Sequence, residues 1–133
     1  MTTGGPMNPI TSKARKILLA TPQVMESGGT FTDGDAYWVN GKEIAHFHGD
    51  ADVELRLTRG LISEQRSRLK SDPRIELRPG TSDWITIHLA KTAAVAILAE
   101  LAEMAAAAHR PAPGTAAAPP PVGAALERRR RFH

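Results

Sequence analysis

YWVNGKEIAHFH, residues 37–48, is the stretch that decides the fold. Aromatic and β-branched residues at 37–39 favour a strand. Asn40 and Gly41 then supply the two positive-φ residues that a two-residue hairpin turn requires, which makes residues 42–48 the returning strand. The sequence therefore predicts a β-hairpin centred on these two residues.

The segments on either side of the hairpin predict an α+β fold. Gly49 and Asp50 mark a second tight turn, and the segment after them alternates polar with apolar residues, as a half-buried strand does. Later apolar residues fall at helical spacing in two further segments. The predicted helices are 13–20, 58–70 and 92–108, with a helical turn after Thr21. The predicted strands are 37–39, 42–48, 52–57, 74–77 and 84–89, preceded by a brief extended segment at 30–32. We expect an antiparallel meander of four to five strands, with helices 58–70 and 92–108 packed on one face.

The net charge of +3 lies entirely at the C-terminus, because four adjacent arginines stand there against the single acid Glu127. A neutral remainder has no long-range field that would attract a polyanion. Residues 111–133 are rich in Pro and Ala and are expected to be a disordered tail, as are residues 1–9 at the other end. The sequence thus predicts one domain at residues 10–110. Nucleic acid is a predicted partner only through the tail, by Arg128, Arg129, Arg130 and Arg131.

The composition excludes several classes of protein. The chain has no cysteine, so a disulfide framework and a thiolate metal site are ruled out. Its most apolar segment, 92–108, contains Glu100 and Glu103 and is shorter than the roughly 20 residues that cross a bilayer. The N-terminus lacks the basic start and apolar stretch of a secretory signal. We expect a cytoplasmic protein without a membrane span.

Three segments, 37–50, 52–57 and 82–87, together resemble the small bacterial "luciferase family protein" domain. The resemblance rests on the motif GKEIAHFHG at 41–49 and on a later strand that opens with Trp84, and it extends over roughly residues 15–108. It implies the α+β fold and no set catalytic residues. A fainter likeness, to MmcQ/YjbR-type domains, rests on element order alone.

Strand alternation predicts a candidate site. If the aliphatic residues of 52–57 and 84–89 face the helices, and Ala45 and Phe47 do the same, then Ile44 and a polar set face the opposite side of the sheet. That polar set is His46, His48, Glu54, Arg56, Trp84 and His88.

Three functions fit this face and tail. The leading interpretation is a non-enzymatic module that binds an unknown small molecule or protein partner through the histidine-bearing face. The alternative is a small hydrolase or isomerase in which Glu54 and either His46 or His88 exchange protons, and a second alternative is weak nucleic-acid binding by the arginine tail. His46, His48 and His88 are weak metal candidates, because alternate strand residues point the same way. Histidines bonded to carbonyls or carboxylates are the more common arrangement, so the sequence predicts no metal and identifies no cofactor.

Overall fold

The computed structural model describes residues 9–30, 34–49, 51–90 and 93–132. Strands and helices come in separate runs along these residues, which is an α+β pattern. In chain order they are α1 (Pro9–Ala20), β1 (Met25–Gly28), β2 (Asp35–Val39), β3 (Lys42–His48), β4 (Asp52–Arg56), α2 (Arg59–Glu64), α3 (Arg66–Ser71), β5 (Ile75–Leu77), β6 (Trp84–His88), α4 (Ala93–His109) and α5 (Gly123–Phe132).

The strands form one antiparallel sheet in the order β1-β2-β3-β4-β6-β5. The hairpin between β2 and β3 is the predicted one, since Asn40 and Gly41 have φ values of 50° and 72°. The sheet has six strands, against the predicted four to five, because β1 pairs along β2 and extends the hairpin by one strand. Of the extended segment predicted at 30–32, only Thr30 lies inside the described residues.

The hydrophobic core lies between one face of the sheet, here called the inner face, and helices α1 and α4. Arg15 ties α1 to β1, because its Nε and Nη2 donate to Glu26 Oε2 and Oε1 at 2.9 and 2.8 Å. The fully buried aliphatic residues of this layer include Val53, Leu55, Ile85, Ile87, Leu98 and Leu101. The predicted alternation of β4 and β6, and the predicted packing of the last long helix, are confirmed.

The helix predicted at 58–70 is divided into α2 and α3. Thr58 caps α2, since its Oγ1 accepts from the Leu61 N–H at 3.1 Å. The chain leaves helical geometry at Gln65, with φ −97° and ψ 8°. Ile62 of α2 and Leu69 of α3 both lie in the core.

A β-bulge changes the predicted pattern of β3. Tyr37 lies opposite Ala45 and Trp38 lies opposite Glu43, so Ile44 is an extra residue on this strand. Ile44 is fully buried in the core cluster, and its predicted outward direction was therefore wrong. A bulge breaks the two-residue period, and local composition carries no signal for it.

The C-terminal segment differs from the disordered tail expected at 111–133. Helix α5 lies on the outer face of the sheet, where Leu126 is 8% exposed and forms a small cluster with Ala36 and Trp38. The Ala118 N–H also donates to Asn40 Oδ1 at 2.8 Å. A few specific contacts order a segment whose average composition predicts disorder.

No helix within the described ranges is long and apolar enough to cross a membrane. The domain limits at 10 and 110 stay a prediction.

We expect the Leu101→Ala variant to lose about 2–5 kcal/mol of unfolding free energy, because it leaves a cavity between α4 and the sheet. The Leu19→Ala variant is the matched control, since Leu19 is also helical but 37% exposed, and it should lose under about 1 kcal/mol. Urea unfolding followed by circular dichroism measures both values. Equal losses in the two variants would contradict the assigned core.

Candidate functional site

The outer face of the sheet carries all six predicted site residues, in cross-strand rows. Asp52 of β4 lies between two histidines, since His48 of β3 is opposite it on one side and His88 of β6 on the other. His46 lies opposite Glu54, and Arg56 lies opposite Trp84. Directly opposite residues of an antiparallel sheet share a face, so the register itself brings this set together.

His46 is the most enclosed member of the set, at 4% exposure. Its Nδ1 lies 2.9 Å from Glu43 Oε2 and its Nε2 lies 2.7 Å from Glu54 Oε1. Carboxylates only accept, so an imidazole held by two of them donates from both nitrogens and carries a positive charge. Burial lowers the pKa of His46, but the hydrogen bonds and negative charges of the two glutamates outweigh it and raise the pKa above its usual value.

Glu43 is one of two residues of this site, with Arg78, that sequence reasoning missed. Strict alternation would place it on the inner face with Ala45, among aliphatic side chains. The bulge at Ile44 reverses this, so that the carboxylate reaches His46 on the outer face. Its other oxygen accepts from the Thr30 N–H, and the residue is only 2% exposed.

Glu54 connects His46 to Arg78. Its Oε2 accepts from Arg78 Nη2 at 2.7 Å, while its Oε1 holds the imidazole. Burial raises the pKa of Glu54, but the hydrogen bonds from His46 and Arg78 outweigh this effect and bring the pKa below its usual value. The carboxyl group therefore stays ionised at neutral pH. We call the linked residues Glu43, His46, Glu54 and Arg78 the charged chain.

Trp84 lies beside the charged chain and is 8% exposed. Its ring centroid is 5.1 Å from that of His46, at 47°. The guanidinium carbons of Arg56 and Arg78 lie 5.2 and 6.0 Å from the centre of the ring. Both distances allow a cation–π contact.

Arg56 differs from Arg78 in its hydrogen bonds. Within the described residues its one hydrogen bond runs from Nη1 to the Glu43 carbonyl, at 3.3 Å, and it forms no ion pair there. A guanidinium has five N–H donors in a planar fork that fits a carboxylate or a phosphate. Arg56 therefore keeps most of its binding capacity.

The three histidines do not converge on one point. His88 Nδ1 lies 2.9 Å from Asp52 Oδ1, and its Nε2 lies 3.2 Å from Glu76 Oε1. The hydrogen bond and charge of Asp52, followed by those of Glu76, raise the pKa of His88. His48 is exposed at the end of β3. Among the described residues no three or more acids and histidines are grouped so that they could hold a metal ion.

The four C-terminal arginines have unequal surroundings in α5. Arg129 donates to the Gly41 carbonyl at 2.8 Å and lies 5.8 Å from the centre of the Trp38 ring. Arg130 donates to the Gly29 carbonyl at 3.0 Å and to Glu127 at 2.8 Å. Arg128 and Arg131 are exposed. Two of the four guanidinium groups thus bind the protein itself.

Comparison with models of known protein families gives a match. Residues 41–105, just under half of the chain, match the family model described as Luciferase domain. The match runs from the hairpin turn into α4 and includes the charged chain, Arg56 and Trp84, so the resemblance to that family is confirmed. No match was found among curated proteins or among solved structures. The likeness to MmcQ/YjbR-type domains stays a prediction.

The raised pKa of His46 predicts a specific pH dependence of stability. The protonated ring stabilises the fold fully below its unfolded pKa of about 6.5, and this contribution is lost as the pH rises through the higher folded value. Removing one partner of a buried ion pair costs about 3–5 kcal/mol, so His46→Gln should be destabilised by about that much near pH 6. The difference from the wild type should shrink toward pH 9, as measured by urea unfolding at both pH values.

His48→Gln is the control for this experiment, because it removes an exposed imidazole from the same strand and should change the unfolding free energy by under about 0.5 kcal/mol. If His46→Gln does not fold, an NMR titration of the wild-type imidazole still decides the point. A His46 pKa at or below about 6.5 would contradict the doubly bonded imidazolium.

Proposed function

Taking the match of residues 41–105 to the luciferase domain as the premise, we propose that this domain is a binding module whose outer sheet face receives a carboxylate or phosphate group. The group belongs to a small molecule or to a partner protein. The supporting observation is Arg56, which lies over Trp84 with most of its donors unused.

The charges around Trp84 favour an anion. In the charged chain, Glu43 and Glu54 are balanced by the imidazolium of His46 and by Arg78. Arg56 adds one further positive charge, with no acidic partner within the described residues. An anion beside Arg56 would therefore meet a cluster of net positive charge. The adjoining indole ring of Trp84 would add apolar contact to any planar group.

Enzymatic use of this face has less support. A general base needs a nitrogen or oxygen that is free to take a proton. Both nitrogens of His46 already donate to carboxylates, and Glu54 is held ionised by two donors. The side chains pack against one another, which suits a surface that recognises a ligand better than a cleft that reacts with one.

Nucleic-acid binding by the C-terminal arginines also has less support. Arg129 and Arg130 donate to backbone carbonyls of the domain, so half of the arginine set is committed. The other two arginines, Arg128 and Arg131, supply little of the counterion release on which non-specific affinity depends.

Titration with sodium benzoate and, separately, with inorganic phosphate tests the proposal. In ¹H–¹⁵N NMR spectra the signals of the Arg56 side chain and the Trp84 indole should shift with a saturable dependence on the anion. Trp38 is an internal reference, because it is 1% exposed beneath α5 and its indole signal should stay in place. Comparing the two anions distinguishes a planar carboxylate ligand from a phosphate.

Arg56→Gln should weaken binding of the responding anion by about tenfold or more, because charge-assisted hydrogen bonds contribute roughly 1.5–3 kcal/mol. The control is Arg59→Gln, which removes an exposed guanidinium at the start of α2 and should leave the affinity unchanged. Equal affinities in wild type and Arg56→Gln, or a Trp84 signal that does not move with either anion, would overturn the proposal.

A further inference from the structure

A groove of about 410 Å³ lies at the edge of the sheet, and Arg56 is not part of its lining. It is bounded by α3 on one side and by β5 and the residues after it on the other. Its lining includes Arg66, Lys70, Ile75, Glu76, Leu77 and Arg78.

The groove follows a strand edge that is open to a further strand. β5 is the last strand in the sheet order and pairs only with β6. The Arg74 carbonyl accepts from the His88 N–H at 2.7 Å, and residues that point at the partner alternate with residues that point away in an antiparallel ladder. Ile75 and Leu77 therefore direct their backbone groups away from β6.

The backbone groups on this edge are mostly unused. The Ile75 N–H bonds to the Asp72 carbonyl at 3.0 Å. The Ile75 carbonyl and both backbone groups of Leu77 have no intramolecular partner within the described residues. Open donors and acceptors along a strand edge are what an extended peptide binds by strand addition.

The charge of the groove indicates what kind of peptide fits. Arg66 and Lys70 lie one turn apart on α3, both exposed, and neither forms an ion pair within the described ranges. Arg78 adds a third cation, paired with Glu54. The acid of the groove, Glu76, faces His88. The two unpaired cations would meet acidic side chains of a strand laid beside Leu77.

From this combination we infer that the β5 edge is a docking site for an extended acidic segment of a partner protein. The segment adds as a seventh strand, with its backbone on Leu77 and its acidic side chains on Arg66 and Lys70. This site shares Arg78 with the charged chain, but its lining does not include Arg56 or Trp84.

A fluorescein-labelled peptide of alternating glutamate and valine, acetylated and amidated at its ends, is the probe. We expect saturable binding to the full chain in fluorescence anisotropy, weakened by salt, together with slower hydrogen exchange of the Leu77 amide. A peptide with lysine in place of glutamate should not bind. A glutamate–valine peptide that is N-methylated at alternate residues should bind at least about tenfold more weakly, because it cannot complete the ladder.

The double variant Arg66→Glu, Lys70→Glu should lose about tenfold or more in affinity for the acidic peptide, through like-charge repulsion. Lys13→Glu, Lys16→Glu is the matched control, because it makes the same charge change on exposed positions of α1 and should bind as the wild type does. Arg56→Gln should also bind normally, which distinguishes a failure here from a failure of the anion site. If the acidic peptide does not bind, or if the N-methylated peptide binds equally well, strand addition is excluded and the cations serve only to keep the edge from aggregating.

Discussion

The buried ion set Glu43–His46–Glu54 is the interaction on which the outer face depends. Removing charges from water is costly unless each one meets an opposite charge and its remaining polar atoms are bonded. Here the Thr30 N–H and Arg78 complete the bonding of the two glutamates. The set therefore fixes the relative positions of the loop before β2, the bulge in β3, the middle of β4 and the end of β5. It also places Trp84, whose ring lies against the imidazole.

The sequence predicted the parts of this arrangement that follow from strand period and turn chemistry. Asn40-Gly41 fixed the hairpin, and alternation in β4 and β6 placed Glu54, Arg56, Trp84 and His88 on one face. It could not predict Glu43, because the bulge at Ile44 interrupts the alternation between Glu43 and the rest of β3. A bulge does this without a change in composition. Arg78 was missed for a related reason: it follows the short strand β5, where the alternation is too brief to assign a direction.

The C-terminal segment shows a different limit of sequence reasoning. Composition reports how much apolar area a segment can bury on average, and residues 111–122 can bury little. Docking of α5 depends instead on one buried leucine, Leu126, and on two guanidinium groups that bond to carbonyls at Gly29 and Gly41. The receiving surface is Trp38, which lies with Ala36 on the outer face beside α5. Sequence inspection of the tail alone carries no information about that surface.

If an anion binds at Arg56 as proposed, its binding is thermodynamically linked to the protonation of His46. With the imidazole protonated, the charged chain is neutral and Arg56 gives the cluster a charge of +1. Loss of that proton leaves one glutamate charge uncompensated, and the nearest guanidinium without an acidic partner is Arg56, which already bonds to the Glu43 backbone. The cluster then has no net attraction for an anion. By reciprocity, an anion held over Trp84 raises the proton affinity of His46 by the same free energy that the proton adds to anion binding. In the proposed anion site, the histidine that strand parity placed on this face would thus act on the ligand through charge balance, and its two nitrogens would not need to touch the ligand.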